Sequence, residues 1–302
     1  MNGVLIIDKP PGLTSHDVVN RVRRILGERS VGHLGTLDPL ATGVLPLVVG
    51  NLTRLAQFYT ASEKTYEGTI RFGYATDTYD SEGDPVGPVQ PVSLSLEQVR
   101  AVSRNFLGVI EQTPPPFSAK KIQGVPAYKL ARRNVEVELH PVKVEVKEFE
   151  ITDCDRHRAH FRARVASGTY MRSVAHDMGR LLGCGAHLDS LRRTAVSEFT
   201  LADSHTLEQL SSACQSGQSE ELFIHPRILL PQFPSVTATD EMAALIRTGR
   251  PVNLPELSQA RMVKVFLGQR ELIAIATRVA GTLFHARIVL SNAPTRPTLQ
   301  TT

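Results

Sequence analysis

The sequence predicts an α+β protein: a mixed, largely antiparallel sheet with flanking helices, followed by a small β-rich unit. Three observations carry this reading. Strand-length apolar runs are joined by short turn-like segments, not by the regular strand–helix alternation of a doubly wound sheet. Helical periodicity surfaces in a few segments, several of which open on a Ser or Thr suited to capping. Beyond a proline-bracketed linker at residues 226–234, three strand-like runs follow closely on one another.

Residues 4–7 read as a short buried strand, stopped by Lys9-Pro10-Pro11-Gly12. Thr14 or Ser15 then caps a helix with Asp17 in its first turn, Val18, Val19, Val22, Ile25 and Leu26 on one face, and Gly27 at its end. A glycine-punctuated loop over residues 32–43 leads into an apolar strand, and residues 51–60 are expected as a helix. Tyr66, Gly68, Ile70 and Phe72 alternate with Thr65, Glu67, Thr69 and Arg71, the period of a half-buried strand. Residues 77–91 form a polar excursion, after which Ser93 or Ser95 caps a helix through Leu96, Val99, Val102 and Phe106. Residues 142–151 and 160–165 read as strands about a turn at 153–156, and residues 167–170 open a helix with Val174, Met178, Leu181 and Leu182 facing inward. Past the linker come a helix over residues 240–247, closed by Gly249, and strands around 262–267, 272–279 and 283–290. Residues 291–302 have the composition of a disordered tail.

The 302 residues are 41% hydrophobic and 21% charged, which supports a sizeable core and excludes a disordered chain or a disulfide miniature. The longest apolar run, residues 43–49, is broken by Pro46 and falls far short of the roughly 20 residues of a membrane span. No basic region or small-residue cleavage site of a secretory leader follows Met1. Cys154, Cys184 and Cys214 are odd in number and far apart, as expected of free thiols in a reducing, cytoplasmic compartment. The eight Lys/Arg and four Asp/Glu of residues 232–302 account for the whole net charge of +4. That asymmetry fits a polyanionic partner or a solvated surface.

Phosphate-loop, dinucleotide, nucleophile-elbow and zinc-protease motifs are absent from the sequence. His157 and His160 lie among Arg156, Arg158, Arg162 and Arg164, and Asp77, Asp80, Glu82 and Asp84 lack the register of a calcium loop. An enzyme built on this chain is expected to need no metal and no cofactor. Hydrolysis, group transfer or isomerisation by side chains remains. The loop over residues 32–43 is the best candidate site, because three glycines and Pro39 permit a backbone path close to a ligand. Its lone carboxylate, Asp38, suits a nucleophile or a general base; a plain Asp-Pro turn is the alternative.

Gly32-His33-x-Gly35-x-Leu37-Asp38-Pro39-x-Ala41-x-Gly43 closely resembles the catalytic motif of the TruB family, the bacterial tRNA pseudouridine-55 synthases. Lys9 to Ser15, Lys64-Thr65-Tyr66, and Gly73-x-x-Thr76-Asp77-Thr78-x-Asp80-x-x-Gly83 resemble further family motifs. So do Gln112-x-Pro114-Pro115-x-Phe117-Ser118-Ala119-x-Lys121, Ala127-Tyr128, Gly168-Thr169-Tyr170-x-Arg172, and Gly183-x-Gly185-Ala186-His187-x-x-x-Leu191-Arg192-Arg193-Thr194, in one order over roughly residues 3–200. The resemblance implies a pseudouridine synthase catalytic domain over residues 1–231 and, more loosely, a PUA-like RNA-binding domain over 232–290. It implies that Asp38 is the nucleophile on a flipped-out uridine and that Arg172 pairs with it; Tyr66 is suited to stacking on the base, and its hydroxyl to proton transfer. His33, Tyr66, Tyr170 and Leu191 match substrate-contacting positions. The guanidinium of Arg172 is expected to fix both Asp38 oxygens. The implied partner is the T-arm of tRNA, acted on by a monomer without an obligate protein partner, membrane or cofactor. Leu34 stands where the family often has Thr, and Phe117 where it often has Tyr. Plainer readings stay open: Tyr66 as a core residue, Leu191 as packing, and Arg192-Arg193 as solvated charge. A guide-RNA-directed relative and a non-catalytic RNA-folding protein are the rival functions.

Overall fold

The computed structural model describes residues 1–118, 121–122, 125–126, 139–256 and 258–290. Ala119, Lys120, Ala127, Tyr128, Arg132, Arg133 and the tail over 291–302 lie outside the described residues.

Strand β1 (Gly3–Lys9) is buried along nearly its whole length. Helix α1 (Ser15–Leu26) starts on a reciprocal cap: Thr14 Oγ1 accepts the Asp17 N–H at 3.1 Å, and the Asp17 carboxylate accepts the Thr14 N–H at 3.0 Å. Then follow β2 (Val31–His33), β3 (Thr42–Val49), β4 (Lys64–Phe72), α2 (Leu96–Ser103), β5 (Gly108–Gln112), β6 (Val142–Asp155) and β7 (Arg158–Val165). Helix α3 (Met171–Leu181), β8 (Ala186–Val196), β9 (Phe199–Thr200), β10 (Ser204–His205) and α4 (Leu207–Gln215) complete this part. Among the described residues ten strands form one sheet in the order β10-β1-β3-β8-β4-β7-β6-β5, with β2 on β3 and β9 on β8. Only β1–β10 and β3–β8 pair in parallel, so the sheet is mixed and largely antiparallel, as the sequence predicts.

The structure differs from the sequence reading in several places. Strand β5, helix α4 and a strand over Ser235–Ala238 were not assigned from the sequence, and Leu181 of α3 is exposed, not turned inward. Two further segments differ for a clear physical reason. Gly50–Phe58 winds as a 3-10 helix, which brings the buried Leu52 and Leu55, three residues apart, onto one side. Strand β8, unassigned from the sequence, lies at the sheet centre between β3 and β4. Register shifts at Leu188/Ser190 and Arg193/Ala195 break its alternation, and with it the periodic signal.

The second sheet follows β11 (Ser235–Ala238) and α5 (Asp240–Arg247), with β12 (Val252–Asn253), β13 (Met262–Leu267), β14 (Glu271–Ala280) and β15 (Leu283–Val289), in the order β11-β13-β14-β15-β12. It is not a loosely tethered appendage. Leu5 and Ile7 of β1 pack into the core beneath α1 and α3, whereas Val4 and Ile6 pack with Phe266, Leu272 and Ile275 of the second sheet. Burial on both faces explains why β1 reads as a continuous apolar run. Polar ties cross the same junction. Tyr59 Oη donates to Glu198 Oε1 at 2.6 Å, and that oxygen accepts the Leu230 N–H at 2.9 Å. Lys264 Nζ donates to the Arg227 and Leu229 carbonyls at 2.8 and 2.6 Å.

Phe266 is fully buried in this shared core. Phe266→Ala is therefore expected to lower stability by about 3–5 kcal/mol, read as a lower urea midpoint with an unchanged slope. An unshifted midpoint would mean that the second sheet does not support the first. Among the described residues no helix is long and apolar enough to cross a membrane.

Candidate active site

The segment between β2 and β3 is held from beneath by buried polar side chains. Ser15 Oγ donates to the Leu37 carbonyl at 3.0 Å and accepts the Leu37 N–H at 2.8 Å. The Gly12 N–H reaches the Pro39 carbonyl at 2.9 Å. Lys9, fully buried, donates to the carbonyls of Pro10, Leu13 and Pro39 at 2.9, 2.7 and 3.1 Å. Burial lowers its pKa to about 8 against the raising pull of Asp38. Arg193, also fully buried, donates to the carbonyls of Val44, Thr36 and Gly35 at 2.8, 3.2 and 3.0 Å. Gly43 lies at φ 98°, and a Cβ there would come within 2.2 Å of the Arg193 carbonyl oxygen, so the strand pairing admits only glycine.

Arg172, in the first turn of α3, reaches this loop with its guanidinium. Nε lies 2.9 Å from Asp38 Oδ2, an ion pair without the alignment of a hydrogen bond. Nη1 sits 3.4 Å from Asp80 Oδ2 and donates to the Thr78 carbonyl at 3.2 Å, while Nη2 donates to the Phe117 carbonyl at 3.0 Å. The expected grip on both Asp38 oxygens is not present. The outer nitrogens are drawn to Asp80 and two carbonyls, so the fork is divided between two carboxylates. Arg172 and Asp80 are each 5% exposed at the side chain, but Asp38 is 37% exposed, its open side facing a cavity. Desolvation in this recess pushes the Asp38 carboxyl above the ordinary carboxylate range; Arg172 opposes the shift and the Asp80 charge adds to it.

The cavity holds about 410 Å³, within the span of roughly 300–1,000 Å³ typical of small-molecule sites. Asp38, Arg172, Tyr66, His33, Tyr170 and Leu191, all singled out from the sequence, line it together. Tyr66 on β4 belongs both to the main core and to the cavity wall. His33 Nδ1 accepts the Gly35 N–H at 3.3 Å, and burial followed by the Arg193 charge holds its pKa down, leaving a neutral ring with Nε2–H as donor. The backbone of Tyr170 is pinned by Gln112, whose amide donates to the Tyr170 carbonyl at 3.0 Å and accepts its N–H at 2.8 Å. Burial raises the Tyr170 phenol pKa.

Four positions escaped the sequence reading: Lys9, Lys64, Asp80 and Arg193. Asp80 sits in a quoted motif, yet no spacing shows that it faces Arg172; its Oδ1 is held by Thr78 Oγ1 at 2.6 Å and the Glu82 N–H at 3.1 Å. The pair Arg192-Arg193 is divided by the strand period. Arg192 pairs outward with Asp8 at 2.8 Å, whereas Arg193 is buried, not solvated. Among the described residues no cluster of three or more His, Cys, Asp or Glu side chains is arranged to hold a metal ion.

Comparison with known proteins identifies the family. Residues 23–171 match the profile of the TruB family pseudouridylate synthase N-terminal domain, and residues 172–231 that of the tRNA pseudouridylate synthase B C-terminal domain. The junction at 171/172 falls at the start of α3, and both matched segments contribute strands to one sheet. The chain is 50% identical over 294 residues to tRNA pseudouridine synthase B of Solibacter usitatus, covering 96% of this chain and 100% of that relative. It is 38% identical over 292 residues to the same-named protein of Aquifex aeolicus, covering 96% and 100%. A solved Cbf5-Nop10-Gar1 complex contains a chain of the same fold, with a TM-score of 0.71 and 25% identity over 96% of this chain and 85% of that one. The near-complete coverage at these identities places the chain in the TruB family of tRNA pseudouridine synthases.

Proposed function

We propose that the enzyme converts uridine-55 to pseudouridine in the T-loop of tRNA, with Asp38 as nucleophile on a flipped-out base and without a cofactor. The observation that carries this reading is an Asp38 carboxylate open to a cavity of about 410 Å³ and ion-paired on its other side with buried Arg172. Isomerisation breaks the N1–C1′ bond of the uridine, turns the uracil and forms the C5–C1′ bond; a proton leaves C5 and N1 gains one. No electrons are exchanged, so side chains suffice. Asp38 attacks the uracil ring or the ribose, either of which requires its ionised form. Extruding the base costs a few kcal/mol of unstacking. Stacking on Tyr66 offsets part of that cost, and its hydroxyl is suited to proton transfer. His33 and Tyr170 offer polar contacts to the nucleotide, and Leu191 offers an apolar one.

Residues 1–231 act as the catalytic domain and residues 232–290 as a PUA-like RNA-binding domain, which carries three of the four excess positive charges. The protein works in the cytoplasm as a monomer, without protein partners. The purified chain, incubated with unmodified tRNA in the presence of a chelator, is expected to yield pseudouridine at position 55 alone. Modification at another position, or none without added proteins, would overturn the assignment.

A further inference from the structure

We infer that Lys64 holds the phosphodiester beside the flipped-out uridine, a contact that rests on the reading just given. Lys64 opens β4 two residues before Tyr66, so both side chains leave the same face of the strand, and both line the cavity that contains Asp38. Its stem crosses Gly35 of the Asp38 loop: a Cβ at Gly35 would lie 3.2 Å from Lys64 Cε, so any larger residue there would crowd the stem. Nζ donates to the Ser62 carbonyl at 2.8 Å, which leaves two of the three ammonium donors of a lysine for a ligand.

What Lys64 lacks is an anion. Among the described residues no carboxylate lies within ion-pair distance of Nζ. Glu63, its neighbour in sequence, is held by Lys147 and Arg164. Asp38, on the same cavity wall, is engaged by Arg172. The other ionisable groups around the cavity are His33, which is neutral, the phenols of Tyr59, Tyr66 and Tyr170, and the cation Arg193. Burial, and then Arg193, lowers the Lys64 pKa to about 8. A desolvated cation facing an open cavity is costly until an anion enters. Uracil and ribose are neutral, so the phosphodiester is the one charge that the substrate brings into this space. Lys64 is thus a binding residue that stabilises the extruded backbone.

The test uses a synthetic T-arm hairpin and two copies of it, each with an uncharged methylphosphonate at one linkage flanking the target uridine. For the wild type, one of these replacements is expected to raise Kd by about tenfold, the scale of one charge-assisted contact. Lys64→Met should show about the same tenfold weaker binding with the natural hairpin, and no further loss with either modified one. Lys64→Arg keeps the charge and should keep the penalty. The salt dependence of binding should flatten by about one counterion in Lys64→Met. Wild-type binding should weaken as pH rises past about 8, because the ligand requires the protonated amine, and this weakening should vanish in Lys64→Met. Wild-type affinity and salt slope in Lys64→Met, or an equal methylphosphonate penalty in both proteins, would overturn the inference. A wild type that binds the hairpin without converting its uridine counts against the uridine-55 reading, while the Kd comparison still decides Lys64.

Discussion

Asp38→Asn should abolish pseudouridine formation, a loss of about 10⁴-fold or more, while tRNA affinity stays within a few fold. Asparagine preserves the shape of the side chain and one oxygen near Arg172 Nε, but it has no charge with which to attack. The control against simple unfolding follows from linkage. A carboxyl whose pKa is raised by folding stabilises the protein below its unfolded pKa, and this contribution is lost as pH rises through the folded pKa. At neutral pH the ionised Asp38 is therefore a cost, and the Asn variant should melt no lower than the wild type. The same upward shift sets the sign of the pH–rate profile. Under single-turnover conditions the wild-type rate should fall on the acidic side through a pKa above the usual carboxylate range. Substantial turnover by Asp38→Asn would remove Asp38 from its proposed role.

The second large effect is expected at Arg172. Lysine would keep the charge but cannot reach Asp38, Asp80 and the Phe117 carbonyl together, as the divided guanidinium does. Misplacing a reacting group by about 1 Å costs on the order of a hundredfold in rate, so Arg172→Lys should lose at least that much with a modest change in binding if Asp38 acts as proposed. Arg172→Ala should be worse in two respects. It leaves the nearly buried Asp80 charge unpaired, which typically destabilises by about 3–5 kcal/mol. It also removes the opposing pull on Asp38, so the acidic limb of the residual rate should move to still higher pH. Profiles at saturating enzyme, with melting curves beside them, separate the two losses. Near-wild-type rates in Arg172→Lys with an unmoved acidic limb would make Arg172 a packing residue.

Where local rules decide an element, the sequence was readable. The Thr14 cap, the valines of α1 and Gly27 specify that helix to its ends, and the alternation around Tyr66 specifies β4. Strand β8 was not readable, because its two register shifts and its adjacent arginines imitate a surface loop. The site divides in the same way. Six cavity residues were given a role by the resemblance to a known family; four others lie in the same motifs without one. Asp80, Arg193, Lys9 and Lys64 acquire their significance from burial against groups far off in sequence, and no local pattern encodes that. Even the Asp38–Arg172 pair was only half legible: the partnership was anticipated, but the third member that divides the guanidinium was not.

The central position of β8 has a consequence for synthesis. Strands β3 and β4, which flank it, leave the ribosome well before residues 186–196 exist. Until then β4, and the start of β3 that β2 does not cover, present unpaired edges, the surface on which nascent chains associate wrongly. Long-range pairing of this kind is slow, so newly made chains should depend on chaperones that shield strand edges. A ribosome that stalls before residue 186 leaves a chain with its Asp38 loop complete and no sheet centre to hold it.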